Sequence, residues 1–126
     1  QGVEFDLMTQ APLISEGPLM VLAHDHYRED EGQRIDMRNR AGEFPLLADF
    51  VQAMVDPEYT TQLPGPRTLN LEVKVYDDQS ESDLQPLVDL LDPLIDHYDL
   101  ILSSASPVIL GVNTNSPRGL VIRKSE

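Results

Sequence analysis

The chain has 126 residues, with 22 Asp and Glu against 9 Lys and Arg, and a formal net charge of −13. That balance argues against duplex nucleic acid or an anionic membrane as a direct partner, because both need cationic patches. The lack of Cys excludes a disulfide framework and any thiolate metal site, while the length suits one domain with a core that needs no staples.

The first 18 residues read as an extended lead-in, with Pro12, Gly17 and Pro18 between Ala11 and the first apolar run. Gln1-Gly2 matches part of a common tag-protease site and Met8 is a candidate natural initiator, so residues 1–7 are expected to be a tag remnant. Residues 19–126 are expected to form a single α+β domain. Leu19 to Arg28 predicts a strand with Met20, Leu22, His24 and His26 on one face, because strand side chains alternate. Glu29 to Gly32 is a polar turn, and Gln33 to Arg40 predicts the returning strand of a hairpin.

Phe44-Pro45 opens a first helix, in which Leu46, Leu47, Phe50, Val51, Met54 and Val55 recur at helical spacing. Asp56-Pro57 ends it, and Pro57 to Arg67 reads as a loop. Thr68 to Tyr76 alternates strictly, so Leu69, Leu71, Val73 and Val75 should be buried and the intervening side chains wet. A second helix is expected from Asp83 as N-cap, with Pro86 in its first turn and a kink or break at Pro93. Leu100 to Ser104, Val108 to Val112 and Leu120 to Lys124 predict short strands. The sum is a two-layer α+β sandwich, with a mixed, mostly antiparallel sheet and both helices on one face.

Two groups of residues could carry chemistry or contacts. His24 and His26, two apart on a strand, would project together, and Glu31 could add a carboxylate, which is how several divalent transition-metal sites are built. Gly17, His24, His26, Glu31 and Gly32 resemble the first cupin motif. The spacing after the Glu does not fit, however, and no second motif follows Pro64-Gly65, so no family is assigned. Ser103, Ser104 and Ser106 lack the Gly-x-Ser-x-Gly setting of a nucleophile elbow.

The second group is a charge pattern. No Lys or Arg occurs between Val75 and Pro117, a stretch holding eight acids from Asp77 to Asp99. Arg34, Arg38 and Arg40 would share a face of the hairpin, opposite in sign to Asp89, Asp92 and Asp96 on the second helix. Opposed patches favour self-association or docking on a basic protein surface. The expected function is a small, cofactor-free, non-catalytic cytoplasmic protein acting through protein–protein contacts, with self-assembly as one form. A metal-dependent enzyme or metal-binding module using His24 and His26, and an acidic inhibitor that mimics nucleic acid, are the alternatives.

Overall fold

The computed structural model describes residues 2–12, 19–60, 67–112 and 120–124. Gly2–Thr9, expected to belong to a lead-in, instead form strand β1, which pairs with seven residues of a neighbour. Its alternation is visible in the sequence: Phe5 and Leu7 face one way, Asp6 and Met8 the other. Strand β2 (Met20–Leu22) runs antiparallel to β1, with Leu7 opposite Leu22. The expected long strand ends there, and the chain re-pairs as a separate hairpin of β3 (Tyr27–Asp30) and β4 (Gln33–Asp36). Glu31 and Gly32 turn that hairpin with φ of 52° and 78°, the left-handed pair that a two-residue hairpin loop requires.

β4 is shorter than expected. Asp36 caps a 3-10 segment, Met37–Glu43, by accepting from the Arg38 N–H, so Arg38 and Arg40 leave the strand. Helix α1 (Leu47–Met54) follows, with Leu47 and Val51 buried, and Pro57–Thr60, expected as loop, form a one-turn helix α2. Residues 61–66 of that loop and the turn at 113–119 lie outside the described residues.

Strand β5 (Arg67–Lys74) buries Leu69, Leu71 and Val73, as its alternation predicts. Helix α3 (Glu81–Leu90) starts earlier than expected. Ser80 is its N-cap, and Asp83 reaches back to accept from the Ser80 N–H at 2.9 Å. Pro86 therefore sits past the first turn, where its missing N–H costs a helix bond. The helix does break before Pro93, continuing as a 3-10 segment, Asp92–Asp96.

Strand β6 (Tyr98–Ser104) and strand β7 (Leu120–Lys124) close the order. Between them, Pro107–Gly111 is 3-10 helix rather than strand, because Pro107 suits a helical start and Ser106 Oγ accepts from the Val108 N–H.

The fold is α+β, and its five-stranded sheet has the order β2-β1-β5-β6-β7. The sheet is mixed, but parallel pairing dominates rather than antiparallel: β1–β5, β5–β6 and β6–β7 are all parallel. The reason is that α3 and the 3-10 segments carry the chain back along the sheet before each new strand, and such crossovers make parallel neighbours. One cluster joins Leu7, Leu69, Leu71, Leu100 and Leu102 to Leu47, Val51, Leu84, Leu87, Leu91 and Leu94, so both helices cover the same face. A second, smaller cluster of Met8, Val21, Ala23, Met37, Ala41 and Tyr76 lies where the 3-10 segment Met37–Glu43 covers the other face at one end.

Candidate functional site

The expected metal ligands are dispersed by the break after β2. His24 is exposed, with Nδ1 2.7 Å from Asp25 Oδ1 and Nε2 3.7 Å from Asp6 Oδ2. His26 Nε2 lies 3.0 Å from the Val75 carbonyl, while Glu31 sits exposed in the hairpin turn. Among the described residues, the group of three that comes within 4.8 Å is instead Glu4, Asp6 and Glu72. It lies on the polar face of β1 and β5, where Asp6 stands opposite Glu72 in register. Burial raises the Asp6 carboxyl above its usual range despite Lys74, with Glu72 adding to the rise. Among the described residues Asp6 Oδ1 is buried without a hydrogen-bond partner, and Lys74 Nζ is held 3.2 Å from Glu72. This is a carboxylate group whose charge one lysine offsets in part.

The three arginines do not share a face. The Arg38 side chain is only 5% exposed and is fully engaged. Its guanidinium donates to Asp36 Oδ2 at 2.7 Å and to Asp78 Oδ1 at 2.8 Å, and its Cζ lies 3.9 Å from the Tyr76 ring centroid. Burial alone would raise the Asp36 carboxyl, but the Arg38 hydrogen bonds and charge outweigh it and hold Asp36 below its usual range. Among the described residues, Arg40 pairs with Glu43, at 3.9 Å. Asp89, Asp92 and Asp96 are exposed, and Asp89 accepts from Gln85 at 2.9 Å.

Ligands of parallel sheets bind outside the carboxyl ends of the strands, where the chain leaves one strand to either side. Here that point lies between β1 and β5, and two buried glutamines close it. Gln79 donates to the carbonyls of Thr9 (3.0 Å) and Ala11 and accepts from the Tyr76 N–H. Gln10 donates to the Arg38 carbonyl and accepts from the Leu19 N–H. The open space lies beside this plug. A cleft of about 400 Å³ is lined by His26, Tyr27, Arg34, Val75, Tyr76 and Asp77.

The hairpin forms one wall of the cleft and the end of β5 the other. Tyr76 O–H donates to the His26 carbonyl at 2.7 Å, and burial pushes its phenol well above the usual range, so it stays a neutral donor. The Tyr76 ring meets His26 and Tyr27 edge-on, with centroids 4.8 and 5.5 Å away. Burial lowers the His26 imidazole below its ordinary value. A neutral ring facing a carbonyl must carry its proton on Nε2, which leaves Nδ1 a bare acceptor.

Arg34 lies over Tyr27, its Cζ 3.9 Å from the ring centroid. Among the described residues no carboxylate comes within 4.0 Å of it. Tyr27, Tyr76 and Asp77 were not singled out by the sequence reading. Counting back across the two-residue turn puts Glu29 opposite Arg34 and Tyr27 opposite Asp36, so the Arg34–Tyr27 pair was legible. The meeting with Tyr76, 49 residues further on, was not. Comparison with family models, with curated proteins and with solved structures found no match.

Proposed function

We propose that this is a small acidic, non-catalytic protein that acts through protein–protein contacts and associates with further copies of itself through opposed charges. The observation that supports the reading is an exposed acidic face on one element and an exposed cation on another. Asp89, Asp92 and Asp96 stand exposed on α3 and the segment after it, alternating with buried Leu87, Val88, Leu91, Leu94 and Ile95. Exposed Arg28 projects from β3 of the hairpin, and among the described residues it has no carboxylate within 4.0 Å. An acidic face and an unneutralised cation on separate elements complement each other between copies better than within one.

Solution mass at low and high salt tests the proposal. Screening shortens to about 3 Å at ~1 M ionic strength, so an electrostatic assembly should dissociate there. Joint replacement Asp89→Lys, Asp92→Lys, Asp96→Lys should give a folded monomer, and Arg28→Glu should weaken the assembly in the same direction. A parent protein that is monomeric at every concentration and salt overturns the reading, as does an oligomer indifferent to both salt and charge reversal.

A further inference from the structure

We propose that the cleft between the hairpin and the end of β5 binds a zwitterionic α-amino acid with an apolar or aromatic side chain. The argument begins with Arg34. Its guanidinium lies over the Tyr27 ring and donates no hydrogen bond to a described residue, and a planar carboxylate fits its fork of N–H donors with two parallel hydrogen bonds. In a chain of net charge −13, Arg34 stands in a cleft without a carboxylate partner among the described residues. Asp77 is exposed and lines the same cleft. Yet it makes no ion pair with Arg34 within 4.0 Å.

Two opposite charges therefore face one space without touching. A ligand that spans them needs an anionic end and a cationic end. His26 sharpens the cationic side, because its Nε2–H is spent on the Val75 carbonyl and its Nδ1 has no hydrogen-bond partner among the described residues. An ammonium can donate to both Asp77 and that bare nitrogen. The apolar part of the ligand meets Val75 and the Tyr27 ring, which is 39% exposed. A cleft of about 400 Å³ accommodates one amino acid with a large side chain rather than a folded partner.

The site is preorganised from behind: buried Arg38, tied to Asp36 and Asp78, supports the Tyr76 ring, which contacts both His26 and Tyr27. The inference does not rest on self-association, since Arg28 and the acids of α3 take no part in it.

The test is a two-dimensional ¹⁵N NMR titration with L-phenylalanine and L-leucine, repeated with phenylalanine amide (no carboxylate) and 3-phenylpropionate (no ammonium). Saturable shifts should map to residues 26–27, 34 and 75–77, with a Kd on the order of 10 µM to 1 mM for so small a ligand. Arg34→Gln should weaken phenylalanine at least ~10-fold, as loss of a charged hydrogen-bond pair does, yet leave phenylalanine amide unchanged. Asp77→Asn should weaken phenylalanine and leave 3-phenylpropionate unchanged. Arg28→Gln, outside the cleft, should change neither. Arg34 and Asp77 are exposed, and the same spectra report whether each variant keeps the fold. No saturable shift up to ~10 mM, shifts mapping elsewhere, or binding indifferent to both substitutions would overturn the proposal. Solution mass on the same samples separates the two readings: a monomer that binds phenylalanine keeps the cleft and removes the assembly, and an assembly that does not bind it does the reverse.

Discussion

The face of the sheet under α1 and α3 and the face under Met37–Glu43 are held by different physics. On the first, Leu7, Leu69, Leu71 and Leu102 meet Leu84, Leu87 and Leu94, all with essentially no exposure, and dispersion and water exclusion do the work. Beside the second lie Gln10, Gln79 and Arg38, each buried and each answered by a named carbonyl or carboxylate. Apolar packing is non-directional and tolerates exchange of like volumes. A buried polar network has only one geometry that satisfies it. The helix-covered face therefore decides whether the chain folds, and the polar end decides where the hairpin and its cleft stand.

Two substitutions separate these roles. Leu91→Ala removes a side chain that is 2% exposed from the main cluster and should cost about 2–5 kcal/mol. It should lower the thermal midpoint while leaving the hairpin's local contacts unchanged, and an unaltered midpoint would mean α3 is not anchored by this stripe. Arg38→Met should cost less, about 1–3 kcal/mol, because the exposed side of Asp78 recovers water that a fully buried pair could not. Its mark is local: hydrogen exchange should quicken across Tyr27–Asp36 while β5 and β6 stay protected. Uniform loss of protection would show that the network holds the whole sheet.

Acid should find the polar end first. His26 has a folded-state pKa lowered by burial, so the unfolded chain binds its proton more readily, near its ordinary value of about 6.5. The stability this contributes is fully present above that pH and is lost as pH falls through the folded value. Asp36, also lowered, acts with the same sign at more acid pH. Denaturant melts between pH 7 and 5 should show decreasing stability, and His26→Gln should flatten the slope. An unchanged slope would assign the acid sensitivity elsewhere.

Legibility followed the same division. The stripes of α1 and α3 and the alternation of β5 are local periodicities, and Leu47, Val51, Leu71, Leu87 and Leu91 are buried as those periodicities require. The hairpin was legible from Gly32 between two polar strands. The pairing Phe5↔Leu71 was not, because nothing local in Gly2–Thr9 says that it joins an interior strand rather than leading into one. Parallel order was hidden for a similar reason: alternation shows how many faces are buried and says nothing of strand direction. The spacing of His24 and His26 fixes a shared face only in a continuous strand, and residues 23–26 are not strand. There the chain passes from the sheet to the hairpin, and two residues no longer mean one face. The cleft joins residues 26–34 to 75–77, and only the fold brings those stretches together.

The smallest expected effect tests the polar face of the sheet, which neither cluster covers completely. The folded structure raises the Asp6 pKa, since burial is the largest influence and Glu72 adds to it, while Lys74 and His24 pull the other way. For an acid raised in the folded state the linkage runs opposite to that of His26. Its stabilising contribution is complete below the unfolded value of 3.8 and is lost as pH rises through the folded value. Asp6→Asn should therefore raise the thermal midpoint slightly at pH 7 and leave it unchanged near pH 3, where the parent carboxyl is protonated too. The amide can also donate to Glu72, replacing a repulsion with a hydrogen bond. A variant less stable at pH 7 than its parent would mean that the contacts of Asp6 with Lys74 and His24 outweigh its burial.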